Sequence, residues 1–358
     1  MMAPLAGITI VEAMSNDCPL ALRLSAGLAG RIAADLGARV IKLEPAGGDP
    51  VRRLPPFADG GRSALFAFLN AGKDSVADHP AIAARLFEKA DATIVDDARA
   101  AIDRRADSVQ VVLSMLAEDA PEAVKAGAQT EFTLMALGGL LDIVGDPQRQ
   151  PLCLGGHQLA YSAGLAAYAG LVAGLLRRPE PETARVALLD VAVWINWKSA
   201  ASVACLGELS TRAGRGAEWP VLRCADGWFV LVHQPADWPA LCRLSGDPRL
   251  GEPRFADAAL LRANAPALAD IMEDSLGALS RRELQQRAME MRLPLGVVWD
   301  LAELRGDPQV LARGFLAEAA FGAGAPLSVP RLPLRWNGAI FPVGPVPASV
   351  ADGMDLAS

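Results

Sequence analysis

The sequence predicts an α/β protein: a Rossmann-like layered domain and, later in the chain, a small α+β domain. Three observations carry this reading. Strand-type and helix-type runs alternate from residue 8 to residue 113, as in a parallel sheet covered by helices. The middle third is built from small and apolar residues at helical spacing. Past the Gly/Arg-rich stretch 210–220 (STRAGRGAEWP) the composition shifts, with four of the seven tryptophans falling between Trp219 and Trp299.

Residues 8–13 (ITIVEA) are β-branched and apolar, a short strand. Residues 20–36, rich in Ala, Leu and Gly, have helical spacing and stop at Gly37. Residues 39–43 (RVIKL) form a second strand ending at Glu44, which completes a β-α-β unit. A helix at 81–89 and strands at 92–95 and 109–113 continue the alternation. No G-x-G-x-x-G follows the first strand, so a dinucleotide site lacks the glycines that let a pyrophosphate approach the backbone. Residues 132–141 and 159–176 read as buried helices around the polar loop 145–150. Residues 186–191 read as a strand and 194–209 as a helix. In the last third, 227–233 (GWFVLVH) is a strand after the Asp226-Gly227 turn, and 237–244, 258–276 and 281–291 are amphipathic helices. From residue 315 Pro and Gly are dense, which predicts an extended tail returning over the first domain.

Composition narrows the function. A chain of 358 residues suggests two domains, or a large one with an insertion, and 52% hydrophobic residues supply an ample core. The net charge is −7, and the basic residues are scattered with pairs starting at Arg52, Arg104, Arg177 and Arg281, so nucleic acid is not an expected partner. Five cysteines without a C-x-x-C fit reduced thiols in a cytoplasm, and with three histidines a His-rich metal site is not expected. The N-terminal residues do not read as a secretory leader, because the first lysine is Lys42 and Asp17 interrupts the apolar run. The apolar stretch 159–176 nearly reaches a membrane-spanning length, but its Ala and Gly content reads as a core helix, so no membrane partner is expected.

The most informative stretch is 155–178 (GGHQLAYSAGLAAYAGLVAGLLRR), a Gly-rich loop feeding a long helix. The first amides of a helix have no intrahelical acceptor, so such a turn suits an anion or a reactive side chain. This turn offers His157, Gln158, Tyr161 and Ser162, and no carboxylate.

Several segments, in order, resemble the class III CoA-transferase (CaiB/BaiF) family: LAGITIVEA, AADLGARVIKLEPAGGDPVRR, FLNAGKDSV, TEFTLMALGGLLDIVG, the 155–178 stretch, LRCADGWFVLV, GDPRLGEPRFADAALLRAN, MRLPLGVVWDLAEL and GDPQVLARGFL. The resemblance implies a large Rossmann-like domain built from both chain ends, 1–209 with 310–358, a small domain at 221–305, and linkers at 210–220 and 306–309. It also implies a homodimer of interlocked chains acting on an acyl-CoA and a small carboxylic acid, with no permanently bound cofactor. In that family an Asp carboxylate attacks the thioester and forms an anhydride, then a CoA thioester of the Asp. The departing thiolate reacts on that anhydride, which conserves the thioester's energy, while loop amides stabilise the oxyanions.

The resemblance fails at that Asp. Setting Gly164 against the family's helix glycine puts Ala160 at the Asp position, and a slip by one residue gives Leu159 or Tyr161. Three readings stay open: Ala160 is native and the chemistry differs or is absent; an original Asp was replaced; or the acid comes from Glu131 or Asp142. The family's racemase branch uses a His that falls at Thr130, so racemase activity is not expected. VDDARA at 95–100 replaces the family's CoA-holding Glu-Asn-Phe-x-Pro-Gly, and Pro45 replaces a frequent Arg. The remaining candidates for CoA phosphates are Arg52, Asn70 and Lys73. For chemistry the candidates are His157, as a base or a loop residue bonded to backbone; Tyr161, as a polar group or packing residue; and Glu131, as an acid or the cap of the helix that follows it. Cys153 lies nearby in sequence. The leading reading is a family member acting on a CoA thioester. The alternatives are a non-catalytic subunit pairing with an Asp-bearing paralogue, a CoA-thioester isomerase or lyase, and an acyl-CoA-binding protein.

Overall fold

A computed structural model describes residues 3–127, 129–207, 212, 214–217, 219–348 and 350. Two compact units emerge. One gathers the described residues of 1–140, 153–204 and 308–358; the other gathers those of 141–152 and 205–307.

The first unit opens with β1 (Thr9–Ala13), α1 (Leu20–Asp35) and β2 (Arg39–Glu44), the β-α-β unit expected from the alternation. A small hairpin, β3 (Phe57–Ala58) and β4 (Arg62–Ser63), leads into α2 (Ala64–Asn70), whose start is capped by the Ser63 hydroxyl accepting from Phe66 N at 3.1 Å. Next come β5 (Asp74–Ala77), α3 (Pro80–Lys89), β6 (Ala92–Asp96), β7 (Val109–Ser114) and the one-turn α4 (Glu122–Lys125). Then follow α5 (Glu131–Leu137), α6 (Gln158–Arg177), β8 (Glu182–Ala187), α7 (Leu188–Ile195) and α8 (Trp197–Leu206), the last of which runs into the second unit.

Six strands pair in the order β5-β2-β1-β6-β7-β8, all parallel. Ile10, Val11, Val40, Ile41, Ile94, Val111 and Leu113 are buried, as a sheet covered on both faces requires. Chain order reverses between β1 and β6, so the carboxyl ends of these two strands border the crevice where α/β sheets place their ligands.

The middle third departs from the expectation. α6 is not buried all round: Leu159, Ala160, Ala163, Gly164, Ala167, Leu171 and Gly174 face inward, while Leu165 and Leu176 are exposed. A side chain at Gly164 would put its Cβ 2.8 Å from Ser25 O, so that glycine sets how closely α6 lies on α1. α5 is shorter than read, and Phe132 and Leu137 are 57% and 62% exposed, because only Leu134 and Met135 turn inward. The run read as a strand at 186–191 is the end of β8 and the start of α7. The long helix expected over 194–209 is two helices broken at Asn196, whose side chain donates to Gly138 O at 3.0 Å; residues 208 and 209 lie outside the described set.

The second unit has an antiparallel sheet, β9 (Val221–Cys224), β10 (Gly227–Val230) and β11 (Gly296–Val297), in the order β11-β10-β9. Its helices are α9 (Trp238–Ser245), α10 (Ala258–Ala263), α11 (Ala265–Leu276), α12 (Arg281–Met291) and α13 (Leu301–Leu304), around a core that includes Leu222, Phe229, Leu268, Met272 and Leu284. The single helix expected over 258–276 breaks at Asn264 because Pro266, in the first turn of α11, has no N–H to continue the ladder.

The chain then returns to the first unit through α14 (Pro308–Arg313) and the hairpin β12 (Leu316–Ala319) and β13 (Leu327–Pro330). Beyond it the tail lies along that unit, with Gly72 N donating to Pro345 O at 2.8 Å and Val346 N to Ala320 O at 2.7 Å.

Candidate active site

The site is built where α6 begins. His157, the residue before its first turn, sits in the left-handed region at φ 59° and ψ 42°, a costly conformation for a residue with a side chain. Its imidazole does not cap α6. The cap comes from α5: Glu131 Oε1 accepts from Ala160 N at 3.0 Å, while Oε2 lies 2.8 Å from His157 Nδ1. One carboxylate therefore closes the helix start and fixes the ring. This corrects the expectation that Glu131 caps its own helix. That end is already closed, by Thr130 Oγ1 accepting from Thr133 N and Thr133 Oγ1 accepting from Thr130 N.

The Glu131 side chain is 15% exposed and that of His157 37%. Both border a cavity of about 700 Å³ whose wall is otherwise largely apolar, with Phe132, Met135, Leu154 and Leu20 beside Gln129 and Cys153. With Nδ1 engaged, Nε2 is the ring nitrogen left for chemistry; no described residue bonds it.

The other candidates at this turn fall behind that wall. Tyr161 packs edge-on against His157 and Phe68, with ring centroids 6.3 and 5.9 Å away. Burial, and then the Glu131 carboxylate, push its phenol above the ordinary value. Ala160 and Leu159 have no exposed surface, and Ala160 O accepts from Ser25 Oγ at 2.8 Å. Asp142 belongs to the second unit, where it pairs with Arg212 at 3.1 Å.

The residues expected to hold phosphates are placed elsewhere, and this corrects the sequence reading. Lys73 Nζ is buried and spends its three protons on Glu12 Oε2 (2.6 Å), Gly27 O (2.9 Å) and Asn70 Oδ1 (3.1 Å). Asn70 is buried too, its amide donating to Phe66 O at 3.0 Å. Arg52 forms a two-pronged pair with Glu44, at 2.7 Å on each prong, and its guanidinium lies 3.9 Å over the Phe66 ring. Each cation is engaged by a buried carboxylate, which leaves it little capacity for a ligand. Sequence reasoning missed the carboxylate behind this, Glu12, although an acid inside the apolar run ITIVEA was its signal. Lys42 Nζ reaches Glu12 Oε1 at 2.6 Å and lies 2.8 Å from Asp49 Oδ2, an ion pair without well-aligned hydrogen-bond geometry.

A second hollow, of about 490 Å³, shares Pro19, Met115 and Gln129 with the first. It opens at the carboxyl ends of β1, β6 and β7 and is acidic, with Asp17, Asp96, Asp97 and Glu118 against Lys125. Burial, opposed by Arg185 but reinforced by Glu118 and Asp96, holds the Asp97 carboxyl above its ordinary value.

The sequence profile of CoA-transferase family III matches residues 5–348. The chain belongs to CoA-transferase family III. It is 26% identical over 374 residues to succinate–glutarate CoA-transferase of Agrobacterium fabrum, covering 93% of this chain and 91% of that one. It is also 26% identical over 366 residues to the alpha subunit of succinyl-CoA–L-malate CoA-transferase of Chloroflexus aurantiacus, covering 92% and 83%. Among solved structures, a CaiB/BaiF family protein from Brucella suis superposes with a TM-score of 0.85 at 23% identity over 99% of both chains, a likeness of fold. The α/β architecture with a parallel central sheet is thus that of family III.

Proposed function

We propose that this family III chain acts on an acyl-CoA thioester without the aspartyl-anhydride route, using the Glu131–His157 pair for proton transfer. The supporting observation is that pair, closed at 2.8 Å on the wall of an apolar cavity at the α6 turn. An imidazole held through Nδ1 by a carboxylate presents Nε2 as a base, and the carboxylate stabilises the imidazolium that forms. Ala160 has no nucleophilic group to open a thioester. A base beside a thioester can remove the proton on the carbon next to the carbonyl, with the enolate oxygen facing backbone amides at the start of α6. Isomerisation and eliminating lyase reactions share that step, and C–C bond cleavage passes through the same enolate. The substrate class is the CoA thioester of a small acid, no permanently bound cofactor is involved, and unpaired cysteines fit a cytoplasmic setting.

The test is incubation of the full chain with a panel of short acyl-CoA thioesters in deuterated water. Deuterium should enter next to the carbonyl, and His157→Ala should slow entry by about 10²–10⁴-fold. A covalent carboxyl-bound acyl or CoA intermediate with transfer to a free acid would sink the reading, as would the absence of exchange across the panel. Tight acyl-CoA binding without exchange would point to a binding protein.

A second reading has its own support. Val193, Trp194, Trp197 and Val203 leave α7 and α8 with exposed large apolar side chains, and a relative is named an alpha subunit. In that reading the chain is the Asp-lacking partner of an Asp-bearing homologous chain, and the acidic hollow weighs against its holding a CoA diphosphate. Co-expression with a homologue encoded beside it should give an equimolar complex; a stable homodimer that excludes the homologue would remove this reading.

A further inference from the structure

We infer that Cys153 accepts the acyl group from the thioester, with His157 moving the proton; this deepens the proposed action on CoA thioesters and rests on it. Cys153, Glu131 and His157 border the same cavity, so a nucleophile, a base and the group that orients the base converge on one space. The thiol is exposed, donating to Leu154 O at 3.3 Å and lying 3.9 Å from Met135 Sδ, with no carboxylate bonded to it. Leu154, Gly155 and Gly156 separate it from the strained His157. Among the described residues no protein group accepts from the amides of Gly155 and Gly156, which precede a 20-residue helix, or from that of Gln158, its first residue. Such amides suit the oxyanion of a thioester under attack.

The chemistry balances without the missing Asp. His157 Nε2 takes the Cys153 proton, the thiolate sulfur bonds the thioester carbon, and the carbon–sulfur bond to CoA breaks. The departing CoA thiolate then takes the proton back from the imidazolium. One thioester replaces another, so the energy of the acyl bond is kept, and no oxidant or further reactant is needed. The remaining thiols mark the contrast. Cys18 is buried, and burial together with Asp96 pushes its thiol far up. Cys205 is exposed on α8, away in sequence from any histidine, and serves as an internal reference.

The full chain is mixed with acetyl-CoA in deuterated water, and each sample is split between mass analysis of acyl-peptides and measurement of deuterium in the thioester. The expected result is an acetyl group on Cys153, released by neutral hydroxylamine and formed at least about 10²-fold faster than on Cys205. His157→Ala should slow it by a similar factor, and Glu131→Gln, which keeps the side chain's size, should slow it less. Deuterium entry without an adduct on Cys153 overturns the inference and leaves the proposed function standing. Neither signal overturns both. Equal rates on Cys153 and Cys205, or an unchanged rate in a His157→Ala chain that melts normally, also overturn it, because the exchange is then spontaneous.

Discussion

Two clusters of ionised side chains in the first unit use the same bonds to opposite ends. Around Glu12, the side chains of Lys42, Lys73 and Asp49 are all 3% exposed or less. Lys73 has spent every proton, and α1 can pass close by because a side chain at Gly30 would put its Cβ 2.7 Å from Glu12 Oε2. Around Glu131, a single imidazole is held by one nitrogen, on a residue that borders a cavity. The difference lies in spare valence and exposure, not in the type of contact. A closed, dry network fixes the framework; a half-open pair at the mouth of a helix retains a group for chemistry.

Glu12→Gln is the strongest way to break that comparison. It leaves two buried ammonium groups facing a neutral amide, and breaking a buried charge network of this kind costs about 3–5 kcal/mol. Denaturant unfolding should show the loss. A cost under about 1 kcal/mol would mean the network is not framework, since that is the range of exposed pairs.

Acid should act on the same cluster, with a smaller effect at moderate pH. Burial opposes ionisation of Glu12, Glu44 and Asp49, yet Lys42 and Lys73 at Glu12, hydrogen bonds from Arg52 and Ser75 at Glu44, and Lys42 at Asp49 hold all three below their ordinary values of 4.5, 4.5 and 3.8. Their contribution is therefore complete above those values and is lost as pH falls through the lower folded ones. Lys73 acts in the same direction with pH, at higher pH. Burial, against the pull of Glu12, brings its ammonium down to about 8 from 10.5, so the unfolded chain holds that proton more tightly and stability from this group rises across that interval. Melting temperature should fall steeply below about pH 4, and less steeply in Glu12→Gln; parallel curves would place the acid sensitivity elsewhere.

How far these clusters were legible follows from the range of their contacts. The β-α-β opening was readable because its periodicity is local, and Arg281–Met291 matched the expected helix to the residue because Ser280 and Glu283 cap each other across one turn. The family resemblance marked the α6 turn and named Glu131 and His157 singly. Their bond spans 26 residues, and the left-handed backbone at His157 carries no glycine to announce it. Lys73 was misread for the same reason. An Asn-Ala-Gly-Lys run looks like a solvated loop, but the carboxylate that takes the lysine inward is 61 residues away on β1. Pro266 was a legible break that helical spacing on either side concealed.

Glu131→Gln is the smallest change in stability and the one that sharpens the comparison most. The amide can still accept from Ala160 N, so α6 keeps a cap and loses only the carboxylate's interaction with the helix start, about 0.3–1 kcal/mol. The imidazolium formed during proton transfer would lose its counter-charge, so deuterium exchange into the thioester should fall by at least about tenfold, equivalent to about 1.4 kcal/mol at the barrier. The closed network predicts the reverse proportion for Glu12→Gln, a large loss of stability. If exchange in the folded Glu131→Gln chain matches that of the parent, the carboxylate is only a cap, and the two clusters serve the same structural purpose.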